Sequence, residues 1–181
     1  MSFEGVKECI RSILLSFDDK TLLTAPRLHK KIEEGKAFTV GHRFEGVAAD
    51  ASVDLYFENP SGSGVDVHLV IVAVLSMAQA WVDVYANNSV GTPGTGLTPV
   101  NMNLRSAVVS KVNAEYGGSY TLGDLLIDTV CPGGSLIRAV GWALELGETL
   151  LIPPGKNILV RATNKSGSAQ DLAIRIIWWE E

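Results

Sequence analysis

Thiols are scarce in this 181-residue chain, which has only Cys9 and Cys131. They lie far apart, with no second thiol or histidine at metal-ligand spacing, so a disulfide framework is excluded, a zinc site has no ligand set, and two free thiols are expected. Histidine is almost as rare: His29, His42 and His68 are the whole supply. A hydrolytic triad needs one of them beside a nucleophile and an orienting carboxylate. No Gly-x-Ser-x-Gly elbow is present, and Gly62-Ser63-Gly64 stands in a loop-like stretch without the strand-turn-helix setting such an elbow requires. Positive charge is also short, at 15 Lys and Arg against 20 Asp and Glu for a net charge of −5. That balance gives no clustered footprint for phosphate, and His29-Lys30-Lys31 runs straight into Glu33-Glu34, a solvated face. Gly91-Thr92-Pro93-Gly94-Thr95-Gly96 lacks the Lys-Ser/Thr ending of a phosphate loop. No cofactor is therefore expected.

Long apolar runs are missing too. The longest, Leu69-Val70-Ile71-Val72-Ala73-Val74-Leu75, falls well short of the ~20 residues a membrane-crossing helix needs, and its β-branched residues read as a buried strand. Residues 1–8 lack the basic start, continuous apolar core and small-residue cleavage site of a secretory signal, so the product is expected to stay in the cytoplasm where it is made.

The chain does hold 46% hydrophobic residues and 18 glycines, enough for one domain with a proper core. Phe3, Val6, Ile10, Ile13, Leu14 and Phe17 recur at spacings of three and four, the apolar stripe of a short amphipathic helix. It either caps its own domain or docks on a neighbouring subunit. From residue 38 the period changes to two. Strands are predicted over 38–44, 51–59, 65–77, 80–86, 107–113, 125–130, 138–146, 157–164 and 171–179, separated by Gly-, Pro-, Asn- and Ser-rich turns. About nine short strands without βαβ units imply an antiparallel β-sandwich, and specifically a jelly roll. The expected division is an N-terminal arm over 1–36 and a sandwich over 37–181.

Ile152-Pro153-Pro154-Gly155-Lys156 predicts a turn, because two successive prolines remove two backbone donors. Beyond it, 158–163 and 172–179 both alternate and are expected to pair as a hairpin through Ser166-Gly167, with one apolar face and Arg161 and Arg175 on the other. Adjacent Trp178 and Trp179 must point to opposite faces, so one should stand outside the core as a candidate interface residue or sugar platform. Asp54, Asp83, Asp124 and Asp128 are the carboxylates a glycosidase would draw on, but nothing in their spacing pairs them.

One resemblance covers most of the chain. Gly94-Thr95-Gly96-Leu97-Thr98-Pro99-Val100-Asn101-Met102-Asn103-Leu104-Arg105-Ser106 follows a strand ending in Val82-Asp83-Val84-Tyr85. It resembles the G-T-x-L-T-x-x-N-x-N-R-x-S pattern of small β-rich virion proteins of tailed bacteriophages, with Leu104 where the pattern has Arg and Arg105 one position later. Ile32-Glu33-Glu34-Gly35-Lys36-Ala37-Phe38-Thr39-Val40-Gly41-His42-Arg43-Phe44 is similar to the I-x-x-G-K-A-F-T-x-x-x-x-F opening of the same proteins. The stretch 150–167, followed by a strand ending in Trp178-Trp179, resembles their close. The resemblance implies a virion component, a capsid decoration or head-fibre subunit without chemistry of its own. Its expected partners are the major capsid protein or another virion protein, together with further copies of itself in a homotrimer. Nucleic acid and membrane are not among them. Asn101, Asn103 and Arg105 are the candidate surface loop, with the two carboxamides able to fix its shape. The alternative is a carbohydrate- or receptor-binding module of a virion, using exposed tryptophans and the loop asparagines.

Overall fold

The two-residue period places its strands in two facing antiparallel sheets. The computed structural model describes residues 27–132 and 140–181, over 140–149 as backbone only. Its elements are helix α1 (Arg27–Glu33) and strands β1 (Ala37–Val47), β2 (Ser52–Asn59), β3 (Val67–Ser76), β4 (Ala80–Ala86), β5 (Ser89–Thr92), β6 (Thr95–Leu97), β7 (Val100–Asn101), β8 (Asn113–Tyr116), β9 (Ser119–Thr121), β10 (Asp124–Cys131), β11 (Val140–Ile152), β12 (Lys156–Asn164) and β13 (Gln170–Glu180). One sheet runs β11-β3-β13-β1-β7 and the other β10-β4-β12-β2-β8-β6, with β5 and β9 forming a separate ribbon. From β1 through β4, and again from β10 through β13, each connection carries the chain from one sheet to the other. Eight long strands joined in this way form a jelly roll. The 87–123 excursion between β4 and β10 carries all the short strands.

The core lies between the sheets, where Leu55, Phe57, Ile158 and Val160 from one meet Phe38, Val72, Ile174 and Trp178 from the other. Trp178 stacks on Phe38 at 6.0 Å and meets Phe57 edge-on at 4.9 Å. Alternate residues point inward because side chains alternate faces along a strand.

The expected hairpin of the last two strands does not form. β12 hydrogen-bonds β2 and β4, whereas β13 hydrogen-bonds β1 and β3. Their apolar faces meet across the core instead of side by side. Alternation reports which face is buried and says nothing of which strand lies alongside. A buried carboxamide holds the crossing: Asn164 Nδ2 donates to Val47 O at 2.8 Å, Ala48 O at 3.1 Å and Ser168 O at 2.8 Å, and its Oδ1 accepts from Gln170 Nε2 at 2.7 Å. Gln170 in turn accepts from Ser76 Oγ at 2.9 Å and from Ala78 N at 2.7 Å, so three sheet-to-sheet connections meet in one polar cluster. At the opposite end Asn59 Nδ2 donates to Val65 O at 2.8 Å and Ile152 O at 2.9 Å. There Pro153 and Pro154 do end a strand, and Gly155 turns with φ +78°.

Residues 107–112 are not a strand, and β8 starts only at Asn113. Their β-branched residues fit the period, but side chains capture the backbone: Asn101 Nδ2 donates to Val108 O at 2.9 Å, Ser106 Oγ accepts from Val108 N at 3.2 Å, and Glu180 Oε1 accepts from Lys111 N at 3.2 Å. β1 starts at Ala37, where the sandwich was expected to begin. The predicted stripe Phe3, Val6, Ile10, Ile13, Leu14 and Phe17 lies outside the described residues, as does Cys9. Cys131 is buried in the core.

Candidate functional site

Helix α1 stops in a Schellman motif: Gly35 N donates to Ile32 O at 2.9 Å and Lys36 N to Lys31 O at 2.9 Å. Gly35 carries φ +70°, which a side chain would strain, and a Cβ there would strike Ser106. The stop therefore fits against the 98–106 loop. Asn101 Nδ2 donates to Gly35 O at 2.8 Å, Asn103 Nδ2 to Glu33 O at 3.1 Å, and Met102 N to Ala37 O at 2.9 Å. The asparagines also cap their own loop, Asn101 Oδ1 accepting from Asn103 N at 2.9 Å and Asn103 Oδ1 from Arg105 N at 3.1 Å. β7 pairs with β1, setting Asn101 opposite Phe38.

The end of β13 closes the same corner. Glu180 N donates to Lys36 O at 3.0 Å, and the buried Glu180 carboxylate accepts from Ser110 Oγ at 2.5 Å and Trp178 Nε1 at 3.1 Å. Trp179 points away from the sandwich core, as strand alternation requires, but it is not exposed. His68 stacks on its ring at 3.6 Å, while Arg27 and Lys31 lie over it at 5.0 and 4.3 Å. Trp178 and Trp179 are both fully buried within the chain, so neither serves as an interface or sugar platform. Sequence missed the α1 cover because seven residues with no buried side chain carry no apolar stripe.

Asn101, Asn103 and Arg105 thus do form a surface loop, shaped by the two carboxamides. What the sequence reading missed is the apolar load this loop carries. Leu104 is 89% exposed and Val109 73%, with Val100 and Val108 also open to solvent. Their backbone is anchored to α1, β1 and β13, so the apolar side chains are held outward at a fixed position. Exposed Leu and Val on a polar-looking loop give no periodic signal, which hid them.

A second apolar margin follows edge strand β10, where Leu125, Leu126 and Val130 are exposed beside Leu151 of β11. Edge strands of this kind are usually shielded by charge, proline or a covering element.

Three of the four candidate carboxylates do come together. Asp128, Asp83, Arg161 and Asp54 stand in register across β10, β4, β12 and β2, on the outer face of the six-stranded sheet. Arg161 clamps Asp54 with Nε at 2.8 Å and Nη2 at 2.7 Å, a bidentate fork. Asp124 is elsewhere, accepting from Asn87 Nδ2 at 2.8 Å. Burial, and then Asp128, hold the Asp83 carboxyl above its ordinary value, with Arg161 pulling the other way. A carboxyl raised on folding opposes folding wherever it is ionised. That cost is complete above the folded value and vanishes as pH falls below the ordinary 3.8. Asp83→Asn is therefore expected to raise the melting midpoint at about pH 7 and leave it unchanged at about pH 3, as scanning calorimetry would read.

The histidines are dispersed in structural contacts. His29 meets Glu33 at 3.2 Å, His42 stacks on Tyr116 at 3.6 Å, and His68 covers Trp179. Among the described residues no group of three or more His, Cys, Asp or Glu is placed to hold a metal ion. No family model and no curated protein matches this chain.

Proposed function

We propose that this jelly roll is a non-enzymatic virion subunit that assembles with copies of itself and attaches to a shell protein through fixed apolar side chains. The observation that carries the reading is the 98–109 loop, which presents Leu104, Val108 and Val109 to solvent while its carboxamides tie it to the end of α1 and to its own backbone. Apolar groups fixed before contact lose little conformational entropy on binding, so more of their burial, about 25 cal/mol per Å², is retained as affinity. Repetition around a closed ring and over a shell multiplies modest single contacts into durable attachment. The β10 margin supplies a second surface of the same character. Two of the stretches whose sequence resembles phage virion proteins, 32–44 and 94–106, meet the end of β13 at one corner, which supports reading that corner as the assembly site.

The purified chain is expected to run as a closed homo-oligomer, with a trimer favoured, by size exclusion with light scattering. Leu104→Glu with Val109→Glu should convert it to monomer while its melting midpoint stays close to that of the parent, because exposed substitutions shift stability by only about ±0.5 kcal/mol. A parent protein that is monomeric at every concentration, and that fails to decorate the parent particle in electron micrographs, would sink the proposal.

A further inference from the structure

Within the 87–123 excursion β8 extends the six-stranded sheet beside β2, and a groove of about 510 Å³ lies between these two strands and the 90–99 stretch. Its apolar walls come from Val90, Pro93, Leu97 and Pro99, and its polar groups are chiefly Glu58, Glu115 and the Tyr56 ring edge. Register explains the arrangement. Tyr56 lies opposite Glu115 and Glu58 opposite Asn113, so Glu58 and Glu115 are diagonal neighbours on one face. Such neighbours are ~7–8 Å apart, somewhat less at Cβ, which leaves room for a group between the two carboxylates.

Neither carboxylate has a cationic partner among the described residues. Glu115 accepts only from Tyr120 Oη, at 3.2 Å. Several other acids do have such a partner: Asp50 pairs with Lys165, Asp54 with Arg161 and Glu181 with Lys31. Tyr56 is 4% exposed, lines the groove, and has no hydrogen-bond partner for its hydroxyl among the described residues. Burial, then Glu58 and Glu115, push that hydroxyl up to about 12, and no positive group offsets them.

We propose that this groove receives a lysine or arginine side chain from a basic segment of a partner protein. Such side chains join an apolar stem to a charged head, matching apolar walls that end in two unpaired carboxylates. A neutral saccharide fits less well. The Tyr56 ring face is already covered by Tyr120, stacked at 5.2 Å with planes 9° apart, and the groove offers mostly acceptors. Nothing in this argument depends on the virion reading: Pro99 borders the groove, but Leu104, Val108 and Val109 do not line it.

The test is a titration of the ¹⁵N-labelled full chain with an acetylated triarginine amide, followed by amide shifts, with triglutamate and maltotriose as comparison probes. Triarginine should move the amides of Tyr56, Glu58 and Glu115, and binding should weaken as salt is raised. Glu58→Gln and Glu115→Gln should each lower affinity about tenfold, equivalent to about 1.4 kcal/mol, without changing the melting midpoint appreciably. The proposal is overturned if triarginine leaves those amides unmoved, if the double variant binds as well as the parent, or if maltotriose produces the same shifts.

Discussion

Replacing Asn164 with alanine should lower the unfolding midpoint by about 10 °C, an effect far larger than one side-chain amide usually commands. The carboxamide is fully buried and spends its donors on three backbone carbonyls and its acceptor on Gln170 and Ser166. Each buried partner left unsatisfied costs roughly 1–3 kcal/mol, and at least two are sealed from water, so a total of about 3–4 kcal/mol is reasonable. A domain of this size loses about 2–4 °C per kcal/mol. Asn164→Asp supplies the control. At neutral pH it would bury a charge facing three carbonyl oxygens and should destabilise at least as much, recovering in part where the new carboxyl is protonated. Thermal unfolding followed by circular dichroism reads both. A midpoint within about 2 °C of the parent for the alanine variant would mean that the crossing loops hold themselves.

Trp178→Ala and Trp179→Ala form the second test, because adjacent residues of one strand should fail in different ways. Trp178 sits between the sheets against Phe38 and Phe57, and its removal opens a cavity costing about 3–5 kcal/mol. The whole sandwich should melt earlier in a single transition. Trp179 instead holds α1 through Arg27 and Lys31, so its loss should undock the helix first. Hydrogen exchange should then accelerate at the amides of Glu34, Gly35 and Lys36, which close the helix stop, while the β12 amides remain protected. Equal acceleration in both variants would contradict the division of labour between the two rings.

How much of this was legible beforehand follows from what a period can encode. Ile158, Val160 and Ala162, like Leu172, Ile174 and Ile176, announced their inward faces correctly, and the β4 strand was read at the boundaries it has. The partners of those strands were not announced, because the sheet crossing is decided by Asn164 and Gln170, which look like ordinary turn residues in a string of letters. Ala107-Val108-Val109 read as strand for the same reason in reverse: propensity was visible, but Glu180 lies far away in sequence and the nearby Asn101 and Ser106 look like ordinary loop residues until they are seen bonded to this backbone. The loop asparagines could be named as backbone-bonding groups from their type, whereas the exposed Leu104 and Val109 beside them had no signature at all. The four carboxylates could be named but not paired, since only the register of β10, β4, β12 and β2 aligns three of them with Arg161.

The antiparallel ladder between β1 and β13 sets Ala37 beside Trp179, so the first and last strands of the described fold present their tips at one corner. Tension applied between those two tips would open the ladder rung by rung, as a zip runs, because only the terminal pair bears load at any moment. Tension between either tip and the far end of the sandwich would have to slide many rungs at once. A subunit tethered at that corner and gripped at its distant end would accordingly resist rupture much better than one pulled by both tips, a directional toughness that single-molecule stretching along the two axes would expose.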